Sequence, residues 1–383
     1  MTKTKKNSNV PNLRLLTETT SWQEVPISRL LSFQNGINAS SDKYGKGIKY
    51  ISVTDILNNN YITYDCIKGL VDIDHKTLNN YSVTYGDILF QRSSEVQEDI
   101  GQSNVYLDKD NVATFGGFVI RGKKIGTYNP LFFNYMLKSP SSRRKIIRLG
   151  AGAQHYNIGQ ENLRTLSFYF PTEQEQEKIG ELFRILDERI ATQIKIIEEY
   201  KTLKDSLNKR LIDNSKGNFT LENCIVSNTS NLKESDVLNF KNGIYPVYGA
   251  NGIIKYIDKY DINQRSISIV KDGAGVGRLQ YHEGKYSIIG TLNYLTSKGL
   301  FDLKYIYYAM KNINFKNYVV GTGIPHIYFK DYKKEKIKIK TNEEINRIVK
   351  ILTDIDEYIY LQEKLLDKLM IEKKFLLNNL FVW

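Results

Sequence analysis

Three stretches of this 383-residue chain carry residue types that could do chemistry. Asp272 followed by Glu283-Gly284-Lys285 mimics the Asp…Glu-x-Lys set in which two carboxylates hold a divalent cation and the lysine polarises attack on a phosphodiester. The segment KDGAGVGRL, Lys271 to Leu279, spaces Gly273, Gly275 and Gly277 like a phosphate loop. A dinucleotide or P-loop site needs such glycines to open a helix after a strand, whereas these run into the strand-like RLQYHEGKY, so they read as a hairpin turn. The third pattern, Gly-x-Gly-x-x-His, is written twice, as Gly150-Ala-Gly152-Ala-Gln154-His155 and as Gly321-Thr-Gly323-Ile-Pro-His326, 171 positions apart from 150 to 321. Neither histidine has a Ser, Cys or acidic partner at a fixed offset, so each reads as a polar turn residue rather than a general base. No Asn/Asp-Pro-Pro-aromatic tetrapeptide is present, so base methylation by this chain has no support. No catalytic residue and no metal-ligand set is assigned. A stand-alone metal-dependent nuclease built on Asp272, Glu283 and Lys285 stands as the alternative.

The elements that must position these turns are themselves repeated. Each turn is followed by a strand-like run, LSFYF from Leu166 and KIKIK from Lys336, and then by a helix-start signal, Thr172 with Glu175 and Thr341 with Glu344. Both pairs fit a capping box, in which the Thr hydroxyl and the Glu carboxylate each engage an unpaired backbone N–H of the first turn. Ile179, Leu182, Leu186, Ile190, Ile194 and Ile197 then recur at spacings of three and four, as do Ile348, Ile351, Ile355 and Ile359 in the second copy. A shift of 169 lays Ile179 on Ile348, Asp187 on Asp356, Ile190 on Ile359 and Lys204 on Lys373, so the chain is an internal duplication. At ~1.5 Å per residue, a helix of about 40 residues is ~60 Å long. A narrow apolar seam on so long a helix is best buried against its duplicate in a coiled coil. Asn214 and Gly217 end the first helix. The expected plan is a first block over 1–171, a long helix over 172–214, a second block over 215–340 and a second long helix over 341–383.

Charge singles out the blocks. Residues 172–212 carry 8 basic and 9 acidic side chains and residues 341–383 carry 6 and 8, so the helices hold −3 and the remainder +15 of a net +12. A basic surface of that size favours a polyanionic partner. Short runs rich in Tyr, Ile and Val predict strands at GIKYISVTDI, SVTYGDILFQR, TFGGFVI, GIIKYI, RSISIVKDGAGVGRLQY and KYSIIG. Helices are expected at NPLFFNYMLKSPSSRRKIIRL and FDLKYIYYAMKNI. The loops between the strands collect basic, hydroxyl and amide residues suited to phosphates and base edges. They are Lys43, Tyr44 and Lys46; Gln91, Arg92, Ser93 and Ser94; Tyr248, Asn251 and Lys255; and Lys271 and Arg278, joined by Gln154, His155 and His326 in the repeated turn. Cys66 and Cys224 lie far apart, which fits neither a disulfide framework nor a zinc site and implies a reducing, cytoplasmic location. No apolar run approaches membrane-spanning length, and the basic opening MTKTKKNSNVPNL leads into no signal-peptide core.

The order of block, FPTEQEQEKIGELFRILDERI, long helix with LKDSL, and the same plan again resembles the specificity (S) subunit of Type I restriction-modification systems. GKGIKYISVTDI in the first block, and YPVYGANGIIKYIDKY with SISIVKDGAGVG in the second, share the resemblance, whereas the second helix entry, KTNEEINRI, lacks the usual Pro and Glu-Gln pair. The resemblance spans essentially the whole chain. It implies an α+β fold in which two mixed α/β target-recognition domains alternate with two long α-helices paired as an antiparallel coiled coil, with a pseudo-two-fold internal duplication. It further implies a non-catalytic DNA-binding subunit that recognises a bipartite asymmetric target in double-stranded DNA. Two modification (methyltransferase) subunits using S-adenosylmethionine and two restriction (translocase/nuclease) subunits using ATP and Mg are the expected partners, with no cofactor in this chain and no membrane. A coiled-coil protein–protein adaptor is the remaining alternative.

Overall fold

The computed structural model describes residues 9–15, 21–152, 155–299 and 301–382. The chain divides into two compact units, Met1–Ile194 with Lys364–Trp383, and Lys195–Glu363. Each unit therefore holds one end of both long helices, Glu173–Leu211 and Asn342–Asn379.

In the first unit a four-stranded antiparallel sheet runs in the order Leu31–Asn35, Val119–Lys124, Ile88–Gln91, Ser103–Val105. A three-stranded sheet places Tyr44–Ile51 between antiparallel Gly69–Val71 and parallel Thr114–Phe115. The second unit repeats both, adding one edge strand, Ile262–Asn263, to the smaller sheet beside Lys285–Ile288. Its first sheet runs Ile225–Thr229, Leu292–Ser297, Ser266–Val270, Leu279–His282, and in its other sheet Asn242–Gly249 lies between antiparallel Gly252–Ile257 and parallel Lys285–Ile288. The middle strands explain why the runs are apolar on both faces. Successive side chains of a strand point to opposite sides. Ile88 and Phe90 thus enter the larger core with Trp22, Phe132 and Phe133, while Leu89 enters a smaller core with Ile51, Tyr106 and Phe115. Ile267 and Ile269 enter the larger core of the second unit, and Val270 the smaller one.

Local chemistry overrides the strand pattern in two places. GIKYISVTDI is a strand only to Ile51, because the Asp55 carboxylate accepts from the Ser52 N–H at 2.8 Å and the resulting capping box starts the helix Val53–Asn58. KIKIK forms a strand only at Lys336–Ile337, since the Ile339 N–H is taken by the Asn218 side chain at 2.7 Å. The expected helix after Asn129 is two helices, Pro130–Lys138 and Pro140–Ile147. Pro140 has no N–H to continue the first, and Ser139 caps the second through the Ser142 N–H.

Both long helices start at their Thr. At the second, Thr341 and Glu344 form the full capping box, whereas Glu175 receives two hydrogen bonds from Arg14, at 3.2 and 2.7 Å, and only the Thr172 half of the first box forms. The helices run antiparallel. In the first unit Phe183 stacks on Phe381 and Asp187 pairs with Lys373, and in the second Tyr200 meets Tyr358 and Lys204 pairs with Asp356 at 2.7 Å. Asp187 and Asp356 are duplicates at the 169 shift, as are Lys204 and Lys373, so both ion pairs are one contact written twice. A tyrosine from the globular part of the same unit completes each, Tyr135 donating to Asp187 and Tyr308 to Asp356, both at 2.8 Å. The helix ends are not a free seam. Ile179 and Phe183, with Leu380 and Phe381, are part of the larger core of the first unit, and Ile345, Ile348 and Leu352 are part of that of the second.

His282 is 4% exposed, and burial pulls its imidazole down to about 4. Its ring lies 2.8 Å from the Ser268 hydroxyl. The folded state therefore keeps His282 neutral while the unfolded chain, with an ordinary value near ~6.5, takes up a proton. Stability is full above about 6.5 and falls by roughly 3 kcal/mol as pH drops to about 4. Denaturant titrations at pH 7 and pH 4.5 should show this loss, and His282→Gln should reduce the difference.

Candidate nucleic-acid interface

Each unit joins three loops by backbone hydrogen bonds that match one for one. In the first, strand Ile88–Gln91 runs into Arg92, whose carbonyl accepts from Ile158 at 3.0 Å and whose N–H donates to the Phe118 carbonyl at 2.9 Å. In the second, Ser266–Val270 runs into Lys271, whose carbonyl accepts from Ile327 at 2.9 Å and whose N–H donates to the Thr291 carbonyl at 3.0 Å. The repeated turn closes alike in both. Ala151 and Asn157 exchange two backbone hydrogen bonds, at 3.0 and 2.9 Å, as do Val320 and His326, at 2.9 and 2.8 Å. Beyond the turn, Asn157 pairs with Ser93 and His326 with Asp272.

This geometry corrects the alignment of the two turns. The Gly-x-Gly-x-x-His match sets His326 on His155 at a shift of 171, but the ladder sets His326 on Asn157 and Val320 on Ala151, the shift of 169 found in the helices. The glycines agree, because Gly152 at φ +142° and Gly321 at φ +93° are also 169 apart and both occupy backbone that favours glycine. A Cβ on Gly152 would lie 2.0 Å from the His155 carbonyl oxygen, and one on Gly321 would lie 2.7 Å from that of Ile324.

Among the residues singled out in sequence, Arg92, Ser93 and Ser94 gather in the first unit beside the exposed His155. The Ser93 hydroxyl donates to Asn157 Oδ1 at 2.5 Å. Gln91 is buried and its amide braces the Ser93 carbonyl at 2.8 Å, so it shapes the turn from inside. Gln154 lies outside the described residues. Lys43, Tyr44 and Lys46 lie apart from this cluster and not in one loop as expected: Lys43 ends the helical turn Ser41–Lys43, and Tyr44 and Lys46 are on the strand Tyr44–Ile51. Lys46 pairs with Asp72 at 3.4 Å on the surface, the Tyr44 hydroxyl accepts from the Ala39 N–H, and Lys43 lines a cavity of about 410 Å³ with Asn38, Ser40 and Asp74. Hydrogen bonds from Thr77 hold the Asp74 carboxyl below its ordinary range, so an anion faces this cavity.

In the second unit Lys271, Arg278, Asn251 and His326 gather around the glycine turn. This segment is the expected hairpin, joining Ser266–Val270 to Leu279–His282, with Gly273 and Gly277 at positive φ. Arg278 donates to the Ala250 carbonyl and to Asn251 Oδ1, at 3.0 and 2.9 Å, tying the hairpin to the neighbouring turn. Tyr248 is half-buried, its ring 4.2 Å from that of His282, and burial raises its hydroxyl's pKa. Lys255 is spent on the carbonyls of Leu238 and Phe240, at 2.9 and 2.6 Å, at the end of the helix Glu234–Asn239. Three residues escaped the sequence reading, Phe118 and Asn157 in the first unit and Thr291 in the second, as did the pairing of Asp272 with His326. The signal for Phe118 was available, as an aromatic following two glycines in FGGFV.

The nuclease triad does not assemble. Asp272 Oδ1 lies 2.7 Å from His326 Nδ1, Glu283 pairs with Arg265 at 3.5 Å, and the Lys285 ammonium sits 4.9 Å from the Tyr260 ring. Among the described residues no three His, Cys, Asp or Glu side chains cluster to hold a metal ion, and no helix is long and apolar enough to cross a membrane.

Two α+β units of one topology, each closed by the same pair of long helices, define a duplicated recognition scaffold. The sequence pattern of the Type I restriction modification DNA specificity domain matches residues 20–201 and again 221–370, and the chain belongs to that family. A chain of Methanocaldococcus jannaschii assigned as the MjaX type I specificity subunit is 24% identical over 405 positions, covering 94% of this chain and 92% of that one. The specificity subunit of the type I enzyme MjaVIII from the same organism is 32% identical over 124 residues, covering 31% of this chain and 29% of its own length. The crystal structure of the S subunit of a type I system from M. genitalium shares the fold at a TM-score of 0.66 and 19% identity, over 97% of this chain and 99% of that one. A chain from a structural study of type I complex assembly matches at 0.57 and 12% identity, over 93% and 96%.

Gly321→Ala should cost about 1–3 kcal/mol, the price of non-glycine residues forced into such backbone. Gly323→Ala, with nothing within 4 Å of its added Cβ, should change the melting temperature little.

Proposed function

We propose that this chain is the non-catalytic, sequence-reading subunit of a type I restriction-modification enzyme, recognising a bipartite asymmetric site in double-stranded DNA with one half-site per unit. The observation that carries this reading is the pair of loop clusters held on one backbone frame but bearing different side chains: Arg92, Ser93, Asn157 and Phe118 in one unit, Lys271, Asp272, His326 and Thr291 in the other. A frame that is constant while its exposed groups vary suits two readers of two sequences. Arg92, Lys271 and Arg278 supply cations for phosphates, and amide, hydroxyl and acidic groups supply the partners base edges require. Lys43 and Lys46 extend the basic surface of the first unit, and Tyr248 and Lys255 act as supports rather than contacts.

Adenine methylation and DNA cleavage then fall to partner subunits, two for modification and two for restriction, which carry S-adenosylmethionine, ATP and Mg, in the cytoplasm. Exposed apolar side chains on the long helices support docking of proteins there: Ile185, Met370, Ile371 and Phe375 in the first unit, Leu203, Tyr360 and Leu361 in the second.

Exchanging residues 1–171 for those of a relative with a different target should change one half of the methylated sequence and leave the other intact, read by mapping modified adenines. A change in both halves, or in neither, contradicts the assignment. Binding to the wild-type site should also weaken steeply between 50 and 200 mM salt, by about 10³-fold or more if six or more phosphates are contacted. A flat salt response favours the adaptor.

A further inference from the structure

The two loop clusters present one position on the same frame with opposed chemistry. In the first unit the station is neutral. Ser93 Oγ donates to Asn157 Oδ1, the Asn157 amide makes a long 3.3 Å contact to the His155 carbonyl, and the exposed Phe118 ring, 67% accessible, stands on the strand-end loop that holds Arg92. In the second unit the same ladder position holds an acid–imidazole pair, with Asp272 Oδ1 and His326 Nδ1 2.7 Å apart. Both side chains are about one-third exposed, and Thr291 replaces Phe118. A carboxylate accepts only, so Nδ1 carries the proton and the imidazole is held with its Nε2 edge away from the pair.

These groups match different base pairs. A carboxamide that already accepts from a serine keeps one lone pair and one N–H, the complement of adenine N6 and N7, and an exposed phenyl ring suits the thymine methyl. A carboxylate complements the cytosine amino group and is held in place by the imidazole Nδ1–H, and the adjoining Lys271 ammonium is a donor for guanine O6 and N7. Resting on the DNA-reading function proposed above, we infer that Ser93, Asn157 and Phe118 select an A·T pair at one position of the first half-site, and that Asp272, His326 and Lys271 select a G·C pair at the corresponding position of the second.

The shared frame makes the test an exchange, since the second unit already accommodates Asp and His on it. The full chain carrying Ser93→Asp and Asn157→His, purified with its modification subunits, is used to select duplexes from a random pool beside the wild type. One position of the first half-site should turn from A·T to G·C by about tenfold, with the second half unchanged. Retained selection at the second half also reports that the variant is folded. If the double variant does not express, the reverse exchange, Asp272→Ser with His326→Asn, is read at the second half in the same way. Unchanged preference at the exchanged half, or a loss of affinity equal for all sequences as for phosphate contacts, overturns the inference and leaves the proposed function standing. A wild-type complex that selects no sequence in either half overturns both.

Discussion

The structure depends on two carboxylates that cannot be left alone. Asp187 is 3% exposed, and its charge is answered by Lys373 and by the Tyr135 hydroxyl. Lys373 lies on the second long helix, in the other copy of the repeat, while Tyr135 lies on the recognition block of the first. Three segments distant in sequence must therefore meet for one buried charge to be satisfied. Losing one partner of such a pair is costly, about 3–5 kcal/mol, because the other is left charged and desolvated. The second unit closes the same way through Asp356, Lys204 and Tyr308, at a more exposed position. Neither copy contains its own lysine partner, so the duplication is also a mutual dependence.

That dependence separates scaffold from surface. Sheet order, the parallel pairing in the smaller sheet, the helix ends built into the larger cores and the turn closed from Ala151 to Asn157 and from Val320 to His326 are common to both units. The residues that ride on the frame are not. Hydrogen bonds along a backbone are indifferent to side-chain identity, so a ladder such as Arg92 with Ile158 and Phe118 is kept while Ser93 gives way to Asp272. A recognition protein gains from this division, because its specificity can change without repacking a core.

The long helices, their duplication and the hairpin at KDGAGVGRL were legible in sequence because their signals are local: a period of three to four, a Thr three residues before a Glu, glycines at a turn. The helix at Val53 is missed by the sequence reading, because Ser52 and Asp55 sit in a run whose β-branched residues argue for strand, while the capping hydrogen bonds decide for helix. The turn was misaligned by two because matching letters, Gly and His, outweighed the shift of 169 that the helices already supplied. Tertiary partners were out of reach. Nothing near Lys255 says that its ammonium is spent on Leu238 and Phe240, and nothing near Gln91 says that it faces inward. Phe118 and Asn157 lie 26 and 65 positions from Arg92 and Arg92 alone carried the basic signal.

The mutual closure of the two repeats is tested most directly by a double-mutant cycle on Asp187 and Lys373, with Asp187→Ala, Lys373→Ala and both together followed by denaturant unfolding. A coupling energy above about 1 kcal/mol, with the double variant less damaged than the sum of the singles, is the expected result. Additive losses would mean that the helix of one repeat does not hold the block of the other, and would contradict the account.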